Sequence, residues 1–131
     1  MRPNTVLPIA VALAALAGAA CGSGTEPGLP AGDVSIVLNA STKGSAAFSP
    51  SPFSESFATR AVVIWVNADR TTGAYGGTTG TAHHLISDTG LFDSGTISPE
   101  ATFTFTFAAS GTYQYHCTIH PSMVGTITIT P

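Results

Sequence analysis

Near the C-terminal end of the chain, "TYQYHCTIHPSMVGTITI" (residues 112–129) places Cys117, His120 and Met123 within one turn of each other. A thiolate, an imidazole nitrogen and a thioether are all soft or borderline donors. Upstream, "AHHLIS" offers His83 or His84 as a second imidazole from a different strand. Thiolate and thioether suit Cu(I), and imidazole suits both oxidation states of copper. Two histidines and a cysteine with a weak axial methionine make the ligand set of an electron-transfer copper site. Each residue alone reads more plainly: Met123 as core filler, His120 as a loop residue, Cys117 as a small buried hydrophobe. Their joint spacing favours the metal. A structural zinc site would use more Cys and His and has no need of Met. Cysteine-nucleophile catalysis would need a base and an oxyanion site, and leaves Met123 without a role.

The elements that must carry these groups read as strands. "ATFTFTF" alternates Thr with Phe103, Phe105 and Phe107, a period of two with one buried face. In "TYQYHC" the residues Tyr113, Tyr115 and Cys117 share one parity, so Cys117 faces the same way as the tyrosines and His116 the other way. "VGTITIT" sets Ile127 and Ile129 against Thr126, Thr128 and Thr130, and "DVSIVLN" puts Val34, Ile36 and Leu38 on one side. The continuous apolar run "AVVIWVN" suits a central strand buried on both faces. Turn signals such as "TKGS", "SPSP", "DTG" and "ASG" separate the runs. The expectation is an all-β domain, a sandwich or small barrel with Greek-key connections. "DRTTGAYGGTTGTA" (69–82) breaks the pattern and reads as a long, mobile, glycine-rich loop.

The N-terminus points to export. Arg2 precedes an apolar run over residues 6–20, too short for a membrane-spanning helix. With the small residues Ala17, Gly18 and Ala19 it reads as a secretory signal. Cys21 follows at once, which resembles a bacterial lipoprotein signal, although Gly18 stands where the lipobox usually has Leu. The alternatives are lipidation of Cys21, with a membrane anchor, ordinary cleavage and release, or an uncleaved anchor. The expected organisation is a signal over 1–21, a Gly/Pro/Ser-rich tether over 22–32 and a domain over 33–131, periplasmic or otherwise extracytoplasmic. A Cys21–Cys117 disulfide would leave the histidines and Met123 unexplained. Beyond Cys21, Lys43, Arg60 and Arg70 stand against seven acids, a poor footprint for nucleic acid.

"YHCTIHPSM" resembles the copper loop of the cupredoxins, and its Cys-x2-His-x2-Met spacing is similar to that of amicyanin. "VIWVNAD", "HHLISDTGLFDSG" and "SGTYQYHC" are similar to plastocyanin-like bacterial segments, so the likeness covers about residues 33–131. The resemblance implies a Greek-key β-sandwich holding one type 1 copper through His83, Cys117, His120 and Met123. It implies His83 rather than His84 because the ligand should precede the glycine of "GLFDSG" by seven residues, and it leaves His116 non-ligating. It implies a monomeric, non-enzymatic carrier of single electrons between protein partners such as a cytochrome, an oxidase or a copper enzyme. The alternative is a copper-delivery protein without redox work. Two departures stand out. The glycine-rich insertion separates Asp69 from His83 and should lie near the copper end, and Ile119 replaces a common Pro. Ile119 keeps a backbone N–H that could reach the Cys117 sulfur.

Overall fold

The computed structural model describes residues 29–131; the signal, Cys21 and most of the tether lie outside them. Eleven strands follow in order: β1 (Val34–Ile36), β2 (Phe48–Ser49), β3 (Phe53–Ser56), β4 (Val62–Asn67), β5 (Arg70–Thr72), β6 (Thr78–Gly80), β7 (His83–Ser87), β8 (Asp93–Ile97), β9 (Thr102–Thr106), β10 (Gly111–Cys117) and β11 (Val124–Thr130). Two 3-10 turns, Ala40–Thr42 and Gly44–Ala46, sit between β1 and β2.

The strands form one sheet in the order β2-β1-β4-β9, a second in the order β3-β11-β10-β7-β8, and a separate two-stranded ribbon, β5-β6. β1 and β4 pair in parallel, as do β3 and β11; the other pairings are antiparallel. The core lies between the two larger sheets. Val34, Ile36, Val63, Trp65 and Phe107 come from one side, and Leu85, Tyr115, Cys117, Ile127 and Ile129 from the other. Each of these aliphatic or aromatic side chains gains about 1.5–3 kcal/mol from leaving water. Trp65 is the hub: its ring lies 5.4 Å from those of Phe92 and Phe103 and meets Tyr115 edge-on at 5.6 Å. Such tilted pairs add to the burial term.

Period-two alternation holds along β7, β10 and β11, and it decides what points inward. β4 differs from its apolar composition. Val63 and Trp65 are buried on the core face; on the other face Val66 is buried, with Gly32 against it, whereas Val62 and Ile64 are only half-buried. β1 also ends before Leu38, which is exposed. At Gly125 there is no room for a side chain, since an added Cβ would stand 2.4 Å from the Tyr115 ring. This fixes how closely β10 and β11 approach beneath the end that carries Cys117.

The glycine-rich insertion is a structured hairpin and not a loop. Arg70 pairs with Gly80, Thr71 with Thr79 and Thr72 with Thr78. The turn closes through Gly73 N–H to Gly77 O at 2.7 Å. Threonine favours strands, but both faces of the ribbon are open to solvent and so carry no apolar alternation.

Candidate metal centre

Strand parity builds the site. Cys117 ends β10 directly opposite Leu85 of β7. His83, Leu85 and Ser87 are the buried residues of β7, so His83 shares the inward face with Leu85, one step nearer the end of the sandwich. Thr118 N–H continues the pairing by donating to His84 O at 2.8 Å. Past Cys117 the chain turns sharply. Met123 N–H donates to His120 O at 2.9 Å and Cys117 N–H donates to Met123 O at 3.0 Å. This short loop folds His120 and Met123 back toward Cys117.

The result is a convergence. His83 Nδ1 lies 3.8 Å and His120 Nδ1 3.9 Å from Cys117 Sγ. One ligand atom from each of His83, Cys117 and His120 falls within 4.8 Å of the others. Metal–imidazole and metal–thiolate bonds of about 2.0–2.1 and 2.3 Å, meeting near 120°, span ~3.7–3.8 Å. The observed separations therefore match three donors around a single first-row metal ion. They are too long for good direct hydrogen bonds between nitrogen and sulfur. His83, Cys117 and Met123 are fully buried and His120 is half-buried, so the group opens to solvent along the His120 side. Among the described residues Cys117 has no disulfide partner.

The electrostatics favour a neutral, ligand-ready His83. Burial pushes its imidazole below the ordinary value, the Asp69 carboxylate pulls the other way through a hydrogen bond and its charge, and His120 adds a small depressing effect. The other two histidines are directed elsewhere. His84 points outward to Asp93, and His116 Nδ1 meets Asp88 Oδ1 at 2.7 Å. Of the four sequence candidates, the structure thus gathers His83, Cys117 and His120, and buries Met123 in the same core cluster as Cys117. One expectation fails. Among the described residues no hydrogen bond runs from Ile119 N–H to the Cys117 sulfur, and Ile119 is 52% exposed at the tip of the loop.

The signal missed in the sequence is Asp69, a buried acid whose carboxylate reaches His83 Nε2. Its place two residues past the end of β4 marks it as near the sheet end. Its burial depends on the ribbon and on the turn after β1, neither of which the sequence pattern shows.

No protein-family model matches the chain, and no curated protein matches it in sequence. Solved structures do. A purple cupredoxin from Nitrosopumilus maritimus matches at 23% identity with a TM-score of 0.60, over 76% of this chain and all of its own. A copper-containing nitrite reductase from Thermus scotoductus SA-01 matches at 24% identity with a TM-score of 0.50, over 64% of this chain and 20% of its own. The Cu(I) form of an amicyanin variant matches at 26% identity with a TM-score of 0.41, over 52% of this chain and 60% of its own. The chain has the cupredoxin fold, and its His83–Cys117–His120 group, with Met123 beside it in the core, fits one copper ion of the type 1 kind.

Proposed function

We propose that this chain is an exported carrier of single electrons, in which one copper ion bound by His83, Cys117, His120 and Met123 alternates between Cu(I) and Cu(II). The observation that carries this reading is the pair of imidazole nitrogens at 3.8 and 3.9 Å from one buried sulfur. Such a trigonal set, completed by a thioether, is a compromise between the preferences of the two oxidation states. Copper supplies the redox couple when bound. The residues hold it, exclude water and limit rearrangement, because strands β7 and β10 and a hydrogen-bonded loop fix the donors.

Four protein donors leave no position for a substrate, which separates this reading from metal-centred catalysis. His120 is the one donor that reaches the surface, flanked by exposed Ile119, Pro121 and Ser122. We place electron entry and exit there, toward a protein redox partner such as a cytochrome, an oxidase or a copper enzyme. A delivery protein would hold its metal in an open, labile site, whereas here three of the four donors are fully buried.

The test is a visible absorption spectrum of the purified protein after addition of Cu(II). The expected result is an intense thiolate-to-copper charge-transfer band at one copper per chain, bleached by reductant and absent from Cys117→Ser. A pale Cu(II) spectrum unaffected by Cys117→Ser would contradict the proposal.

A further inference from the structure

Behind His83, on the side away from Cys117, stands the carboxylate of Asp69. Its side chain is only 5% exposed, and Oδ2 lies 2.9 Å from His83 Nε2. The carboxylate is itself fixed. Oδ1 accepts from Asn39 N–H at 2.7 Å and Oδ2 from Ala40 N–H at 3.3 Å. Asn39 takes a left-handed backbone conformation (φ 58°), a conformation that Asn tolerates better than most residues and that forms part of the turn offering these two successive N–H groups. The Asp69 backbone is held as well. Its N–H donates to Asn67 Oδ1 at 3.0 Å, and Asn67 Nδ2 donates in turn to Thr81 O at 2.8 Å and Ile97 O at 2.9 Å. The ribbon closes over this network. Thr81 N–H donates to Asp69 O at 3.0 Å, and a Cβ on Gly80 would stand 2.4 Å from that same oxygen.

The imidazole of His83 therefore lies between two groups with opposite demands. A carboxylate at Nε2 asks for a proton on that nitrogen. The remaining nitrogen, Nδ1, then carries a free lone pair, and it is the one 3.8 Å from the sulfur. Only this tautomer serves both neighbours. His120 differs, because among the described residues no carboxylate meets its ring, whereas His83, His84 and His116 each face one.

We infer that Asp69 is a positioning residue for the metal centre: it holds His83 in the Nε2–H tautomer and sets a negative charge behind that ligand. This rests on the copper reading above. A fixed negative charge stabilises Cu(II) more than Cu(I), and the hydrogen bond makes the imidazole a stronger donor. Asp69 thus lowers the reduction potential and strengthens retention of Cu(II). It also makes the site asymmetric, with His83 anchored in the interior and His120 free to serve the surface.

The test uses the full chain loaded with copper, comparing wild type with Asp69→Asn. Asn is nearly isosteric and keeps one oxygen acceptor for the Asn39–Ala40 turn. The expected variant keeps its thiolate-to-copper band, binds Cu(II) 10–100-fold more weakly, the usual scale for losing a partner of a metal-bound histidine, and loses less affinity for Cu(I). Its reduction potential rises, by ~59 mV for each tenfold change in the ratio of the two affinities. A merely structural role would lower thermal stability without moving the potential, and an unchanged potential and Cu(II) affinity overturns the inference. Should Asp69→Asn not fold, 15N NMR of the wild-type metal-free protein decides. A neutral His83 ring carrying its proton on Nε2 supports the inference, and one carrying it on Nδ1 overturns it. Absence of a thiolate-to-copper band in wild type would overturn the copper reading and this inference together; a band in wild type with an indifferent Asp69→Asn overturns this inference alone.

Discussion

At the scale of single residues, the centre depends on keeping His83 neutral and Cys117 unoxidised in an interior that water does not reach. Burial, with a smaller push from His120, depresses the His83 imidazole, and Asp69 opposes it. The sign of the pH dependence follows. The folded, metal-free protein takes up the His83 proton at lower pH than the unfolded chain, whose imidazole titrates near ~6.5. Between those two values the unfolded state binds more protons, so stability rises with pH across the window and is lost as pH falls through it. We predict that the thermal midpoint of the metal-free protein drops as the pH is lowered below about 6.5, and that His83→Gln flattens this dependence. An equal slope in both proteins would assign the effect to other groups. The donor types and their spacing in "CTIHPSM" made three of the grouped residues legible in the sequence, because all lie within one short turn. The choice of His83 over His84 was not legible from alternation, since Leu85 backs one and Ile86 the other. It is visible in the strand pairing, where Cys117 faces Leu85.

At the scale of elements, β7, β10 and the loop to β11 position the donors, and the ribbon β5-β6 is an appendage. Residues 71–80 are all exposed, and Arg70 already faces Gly80 across the ribbon. Arg70 Nη1 also reaches Glu100 Oε1 at 3.3 Å, which ties the base of the ribbon to the turn before β9. We predict that replacing residues 71–79 by Asn-Gly, a pair suited to closing a two-residue hairpin, leaves the sandwich folded. Its thermal midpoint should change by a few degrees at most, corresponding to less than ~1 kcal/mol for a domain of this size. Loss of cooperative unfolding in that variant would show that the ribbon is part of the core. The β-architecture was legible because β7, β9, β10 and β11 bury one face against the opposite sheet, which imposes period two on their residues. The ribbon was not, for it buries neither face. Its Thr and Gly residues carry strand propensity and turn chemistry without any hydrophobic rhythm. The burial of Asp69 was hidden for a related reason, since it arises from β1, β4 and the ribbon meeting at one end.

At the scale of the whole molecule, a small β-sandwich presents one buried donor group with one semi-exposed ligand, His120, at its end. No helix among the described residues is long and apolar enough to cross a membrane. The export signal and the Cys21 anchor expected from the sequence lie outside the described residues. If the molecule carries electrons, its metal must stay bound in both oxidation states, and the donors must shift little between them. Cyclic voltammetry of the copper-loaded protein tests that most directly. We predict a reversible one-electron couple that persists over repeated cycles at one copper per chain. Copper lost on reduction or oxidation, or an irreversible wave, would contradict the account.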